Sequence, residues 1–144
     1  MSQRRDPYMA FNFVIEIEGL IVGGFTEVSG LESQIEVESY REGGVNGYVH
    51  QFPGPTTYSP LVLTHGLTDR TMLWEWYDQV TQGSFERRNG SIILQDRQYN
   101  SVMSWNFRNA YPVKWTGPKF KADSDDVAFE SLELVHEGLK FRKG

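Results

Sequence analysis

The sequence predicts a mainly β domain, a barrel or sandwich of seven or eight strands with one flanking helix. Three observations lead there. Apolar residues recur at every second position in most segments, which is the pattern of half-buried strands. One segment alone switches to a helical period. Glycine and proline punctuate the chain, with 14 Gly and 6 Pro in 144 residues, and they fall between the alternating runs. A chain of this length suits one domain, residues 1–144, with 39% hydrophobic and 14% aromatic residues to build a core.

The elements follow in order. Phe11, Phe13, Ile15 and Ile17 alternate with Asn12, Val14, Glu16 and Glu18, a strand that Gly19 ends. Ile35 and Val37 alternate with Glu36 and Glu38, which predicts a second acidic-faced strand near 33–41. Residues 42–60, EGGVNGYVHQFPGPTTYSP, hold four Gly and three Pro. That stretch is too long for a tight turn and reads as a projecting hairpin loop, with short strand character at Tyr48–Phe52. Leu61–His65 is a short strand ending at Gly66. Leu73, Trp76, Tyr77 and Val80 then stand at i, i+3, i+4 and i+7, which predicts a helix over 69–82. Thr68 or Asp69 is placed to cap its start, and Gly83 sits where a left-handed residue closes a helix. Ser91–Asp96 is an apolar-rich strand. Met103, Trp105 and Phe107 alternate with polar neighbours, as do Tyr111, Val113 and Trp115. Pro112 donates no ladder hydrogen bond, so the strand that holds it is an edge or begins there. Asp123–Asp126 is a polar turn, and Val127–His136 is the last strand.

Composition excludes several function classes. There is no Cys, which removes disulfides, thiolate nucleophiles and Cys-zinc sites and fits a cytosolic origin. The net charge of -5 lacks the basic balance of a nucleic-acid binder. No apolar run reaches membrane-spanning length, and residues 1–13 lack a signal-peptide core. His50, His65 and His136 show no metal-pair spacing. Gly43–Gly47 follows no strand-to-helix turn and is not a phosphate cradle. Asp123, Asp125 and Asp126 lack the Gly and distal Glu of a calcium loop. Glu36 and Glu38 stand about 7 Å apart on one strand face, too little to indicate a glycosidase. The expectation is no enzyme, no cofactor and no metal.

Charge is segregated. Residues 6–40 carry Asp6, Glu16, Glu18, Glu27, Glu32, Glu36 and Glu38 and no Lys or Arg, whereas residues 41–121 are net +3. Complementary surfaces of this kind suit head-to-tail contacts between identical copies.

A set of short strings, in order, resembles the phage tail tube protein family. They are Asp6-Pro7-Tyr8 with Phe11-Asn12-Phe13, Gly24-Phe25-Thr26-Glu27-Val28-Ser29-Gly30-Leu31, Tyr40-Arg41-Glu42-Gly43-Gly44, and Phe52-Pro53-Gly54. Leu73-Trp74-Glu75-Trp76-Tyr77 follows, then Gly83 with Arg87-Arg88, Trp105-Asn106-Phe107, Ala110 to Trp115, and Val127 to Gly138. The likeness spans about residues 6–138 and is similar above all to inner tube subunits of extracellular contractile injection systems. It implies six-membered rings that stack into a hollow tube inside a contractile sheath. It implies partners as well: further copies of the chain, sheath subunits, baseplate or hub and tube-terminating cap proteins, and lumen cargo, with no sequence-specific nucleic-acid binding. Assembly in the producer's cytoplasm into a released or membrane-docked particle is implied too. By the same resemblance, Arg41, Glu42, Gly43, Gly44, Tyr48, Phe52, Pro53 and Tyr58 belong to an inter-ring stacking loop. Tyr8, Phe11, Trp74 and Trp76 are expected at contacts between subunits. Glu16 and Glu18, or Glu36 and Glu38, are the candidate acidic lining of the lumen. Two alternatives stay open: a tube-initiator or baseplate-adaptor paralogue, and a soluble ligand-binding barrel with a pocket built on Trp105 and Trp115.

Overall fold

The computed structural model describes residues 12–18, 20, 24–41 and 49–144. Among the described residues, nine strands and one helix follow one another. They are β1 (Phe13–Ile17), β2 (Phe25–Ser29), β3 (Ser33–Arg41), β4 (Val49–Tyr58), β5 (Leu61–Gly66), α1 (Met72–Thr81), β6 (Arg88–Gln95), β7 (Ser101–Thr116), β8 (Phe129–Val135) and β9 (Leu139–Lys143).

Seven strands form one antiparallel sheet organised about β7. The two runs expected at 102–108 and 111–115 are a single strand of 16 residues. Its first part pairs with β6 on one side and β9 on the other, and its last part pairs with β8. The result is two four-stranded halves that share β7: β1-β6-β7-β9 and β7-β8-β5-β2. β8 and β9 run in the same direction along β7, so residues 136–138 act as a bulge in one long partner strand. The crossing point is held by side chains. Asn109 has φ 52, the left-handed region that Asn tolerates better than most residues. Its Nδ2 donates to Glu137 Oε2 at 2.7 Å, and Asn89 Oδ1 accepts its backbone N–H. Pro112 lies within the strand, buried, beyond the last residue paired with β6. It needs no donor on that side, which is the edge position that proline allows.

Ile15, Ile17, Leu61, Leu63, Leu132 and Leu134, at alternate positions of their strands, point into the core with Phe107 and Ala110. α1 packs on β7 through Leu73 and Trp76. The helix is three residues shorter at its start than expected, and the cap residue is Thr71 in place of Thr68 or Asp69, with no side-chain cap bond. The hydroxyl of Thr71 instead donates to Glu75 Oε1 at 3.1 Å. Gly83 does close the helix, with φ 80. Its N–H reaches the Val80 carbonyl, and Ser84 N–H reaches the Gln79 carbonyl, the paired bonds of a glycine-terminated helix.

The segment expected as a loop over 42–60 is a strand for most of its length. β4 pairs with β3 from Arg41↔Val49 to Ser33↔Tyr58, with a bulge between Ile35 and Val37. Pro53 and Pro55 hid this strand in the sequence. They are tolerated because a two-stranded hairpin has only edges. Residues 42–48 at its tip lie outside the described residues.

Candidate functional site: a polar sheet face and a projecting hairpin

The half-sheet β1-β6-β7-β9 turns Ile15, Ile17, Phe107 and Leu139 toward the core side. Its other face is polar. Register places Glu16, Ser91, Asn106 and Lys140 in one row across all four strands, and Val14, Ile93, Ser104 and Arg142 in the next. Ser91 Oγ and Asn106 Oδ1 meet at 2.7 Å in the middle of the first row. The row begins with an acid on β1 and ends with a base on β9. Glu18 continues the acidic side, and Arg108 stands above Asn106 on β7. Glu16, Glu18, Ser91, Asn106, Arg108, Lys140 and Arg142 line a solvent-open groove. Among the described residues, β1 pairs only with β6, and β9 only with β7.

Glu16 and Glu18 therefore share this face, whereas Glu36 and Glu38 sit on the hairpin, away from the sheet. Glu38 packs over Gly54, where an added Cβ would lie 3.2 Å from its Cγ. The hairpin carries the exposed apolar side chains Ile35, Val37 (59% exposed) and Phe52. Pro53 is exposed and Tyr58 half-buried. Arg41 ends β3, while Glu42, Gly43, Gly44 and Tyr48 fall outside the described residues, as do Tyr8 and Phe11.

Trp76 is 1% exposed, and its indole N–H donates to the Glu86 carbonyl at 3.1 Å. It is core within its own chain, which corrects its assignment to a subunit contact: the face that carries it is the one that packs on β7. Trp74 is 41% exposed and meets Trp115 edge-on at 4.8 Å between ring centroids. Trp105 packs on Phe141 in the other half of the sheet, so Trp105 and Trp115 do not converge on a ligand pocket.

Two polar residues stand out that sequence reasoning assigned no role. Glu130 is buried, and its Oε2 accepts the Trp115 indole N–H at 3.0 Å. Its Oε1 lies 3.4 Å from His65 Nδ1. That contact is close but off the hydrogen-bond axis, and it leaves Nδ1 without a partner. Glu130 thereby fixes the ring that supports Trp74 of the helix. His136 Nδ1 accepts the Gly138 N–H at 3.3 Å, so Nε2 carries the proton and donates to the Ser59 carbonyl at 3.2 Å. Its ring also packs on Tyr58 at 5.4 Å. His136 thus ties the bulge of the long strand to the base of the hairpin. Ser59 Oγ, on Glu32 Oε2 at 2.8 Å, closes that base from the other side.

No group of three or more His, Asp or Glu among the described residues is arranged to hold a metal ion. No described helix is long and apolar enough to cross a membrane.

The family model of the T4-like virus tail tube protein gp19 matches residues 9–140. The chain belongs to that tail tube family. Solved structures carry the same fold. A chain of the sheath–tube complex of an extracellular contractile injection system, PVC, in its extended state is 25% identical. It superimposes with a TM-score of 0.86 over 96% of this chain and 93% of that one. A chain of the anti-feeding prophage cap structure is 23% identical, with a TM-score of 0.90 over 100% and 96%. Hcp1 of Flavobacterium johnsoniae is 20% identical, with a TM-score of 0.60 over 93% and 97%. No curated protein matches the chain. The chain is thus a mainly β tail tube protein whose likeness to these structures covers nearly its whole length.

Proposed function

We propose that this tail tube protein is the structural subunit of a rigid hollow inner tube, built from six-membered rings that stack inside a contractile sheath. The observation that carries the reading is the half-sheet β1-β6-β7-β9. It has an even number of strands, alternating direction at every step and ending in two strands that, among the described residues, pair with a strand on one side only. A second copy set beside it continues the antiparallel order. Unpaired strand edges are a liability that ring closure removes. Six copies, the symmetry named for the anti-feeding prophage baseplate structure, would close a barrel of about 24 strands. At about 4.8 Å between strands tilted by about 40°, such a barrel is about 45–50 Å across at the backbone. This face then lines the bore and gives cargo a largely wetted wall, with Val14 and Ile93 as its apolar members. The hairpin β3–β4, with Arg41, Phe52, Pro53 and Tyr58, reaches the next ring. A hairpin of two strands is marginal alone in water, and its exposed Ile35 and Val37 are buried on stacking. Exposed Trp74 is the helix residue offered to a neighbour, and the outer surface meets the sheath. The work is structural, not catalytic.

The test is negative-stain electron microscopy of the purified protein and of a variant that lacks residues 44–57. The intact chain gives six-fold rings and stain-filled stacks. The deletion leaves a folded protein that forms rings but no stacks. Tubes of normal length from the deletion would refute the stacking role of the hairpin.

A second reading is a terminal ring of the same machine. A chain of the PVC sheath/tube terminator structure is 25% identical, with a TM-score of 0.86 over 96% of this chain and 98% of that one. Single rings that never stack, even with the hairpin intact, would select it.

A further inference from the structure

The two edges of the half-sheet are oppositely charged on the same face. β1 presents Glu16, with Glu18 at the next alternate position just past its end, and β9 presents Lys140 and Arg142 at alternate positions. All four are exposed. Within one chain, acid and base of the same row stand three strand spacings apart, about 14 Å, too far to pair. They complete a pair only across a seam between copies.

We propose that these four residues form a charge code that makes the β1 edge of one copy accept the β9 edge of another and reject its own kind. The proposal rests on the ring reading above and adds the partner rule for its lateral contact. When β9 of one copy lies beside β1 of the next, Lys140 and Arg142 face Glu16 and Glu18 at cross-strand distance, within reach directly or on the diagonal. Both charges repeat with the strand period of two, so a register slip of two residues still sets an acid opposite a base. A slip of one residue turns the charged face toward the core and is excluded. Homotypic pairing fails on the same residues. β1 against β1 opposes acid to acid, and β9 against β9 opposes base to base, so a two-fold dimer through either edge is disfavoured. The other face of the seam agrees. Phe141 is 54% exposed on β9 and lies in the row of Ile15, Ile92 and Trp105. A neighbouring β1 covers it with Phe13 and Ile15.

The code predicts a pattern that no nonspecific loss of stability reproduces. Glu16→Lys/Glu18→Lys gives a copy basic at both edges, and Lys140→Glu/Arg142→Glu gives a copy acidic at both edges. Each alone forms no rings at protein concentrations at least tenfold above those at which the unaltered chain does, while its melting curve shows that it is folded. An equal mixture of the two restores rings, because each edge then finds its opposite, and six is an even number. The fourfold exchange in one chain also restores rings, and these exclude the unaltered chain. Sedimentation velocity reads ring formation, microscopy reads ring outline, and a fluorescent label on one variant reads composition. Either double variant assembling like the unaltered chain overturns the charge code, as does a mixture of the two folded variants that stays monomeric. An unaltered chain that stays monomeric at every concentration and salt tested overturns the ring reading, and the code with it.

Discussion

Replacing Trp76 with alanine tests whether the helix is placed by core packing. The side chain is the largest of the fully buried ones, at 1% exposure. A tryptophan buries about 150–250 Å², and at about 25 cal/mol per Å² its removal forfeits several kcal/mol, part of which the retained Cβ offsets. Cavity formation adds to the loss, and measured truncations of buried aromatics cost about 3–5 kcal/mol. The Glu86 carbonyl also loses its donor, which adds about 1 kcal/mol if no water replaces it. For a chain of this size each kcal/mol shifts the melting temperature by about 2–4 °C. The expected fall is therefore about 6–20 °C. Circular dichroism at a fixed, low protein concentration is the assay, because assembly itself raises apparent stability. Trp74→Ala serves as the internal comparison. Its ring is 41% exposed, edge-on to Trp115 and tilted against Tyr77, so its loss costs less than that of the fully buried Trp76. A Trp76→Ala melting curve within about 2 °C of the original, or a larger effect from Trp74, would refute the packing of this helix.

Two other substitutions probe the sheet directly. Gly90→Ala places a Cβ into the Phe107 ring and 2.7 Å from the Glu16 carbonyl; overpacking of that kind costs about 1–3 kcal/mol, read as a lower denaturant midpoint with unchanged slope. Glu130→Ala leaves the Trp115 indole N–H without its acceptor at about 1–3 kcal/mol, whereas Glu130→Gln keeps an oxygen for it and costs less; equal midpoints for the two variants in urea unfolding would show that the bond to Trp115 contributes nothing.

Much of the sheet was legible in the sequence because its strands have one wet face. Phe13 to Glu18 alternates, and the structure buries Ile15 and Ile17 of its apolar set. The helix was legible for the matching reason, since only 73, 76, 77 and 80 share a helical face. Where sequence reading fell short, local chemistry masked the pattern. Pro53 and Pro55 suppress a strand signal that an isolated hairpin does not need. Asn109 and Pro112 break the alternation of β7 where it passes from one half of the sheet to the other, so one strand reads as two. Glu16/Glu18 and Glu36/Glu38 look alike in the sequence, because both pairs have the same spacing and only the pairing partners distinguish sheet from hairpin. The sequence assigned no role to Glu130 or His136. Their roles depend on Trp115, His65, Ser59 and Gly138, and three of those four lie more than a dozen residues from the residue they serve.

The order in which the sheet closes has a bearing on how the chain emerges from the ribosome. β1 finds its partner only when β6 has been made, and β5 stays half-paired until β8 is complete. About 80 residues separate the middle of β1 from the middle of β6, which at about 5–20 residues per second is about 4–16 s of synthesis. Over that interval the nascent chain holds apolar strands with open edges, among them the β1 edge of the proposed ring contact. Crowding of nascent chains on one message would then invite premature strand exchange. Under the charge code proposed above, Glu16 and Glu18 of different nascent chains repel one another, and Lys140 and Arg142, their proposed partners, are made only at the end of synthesis.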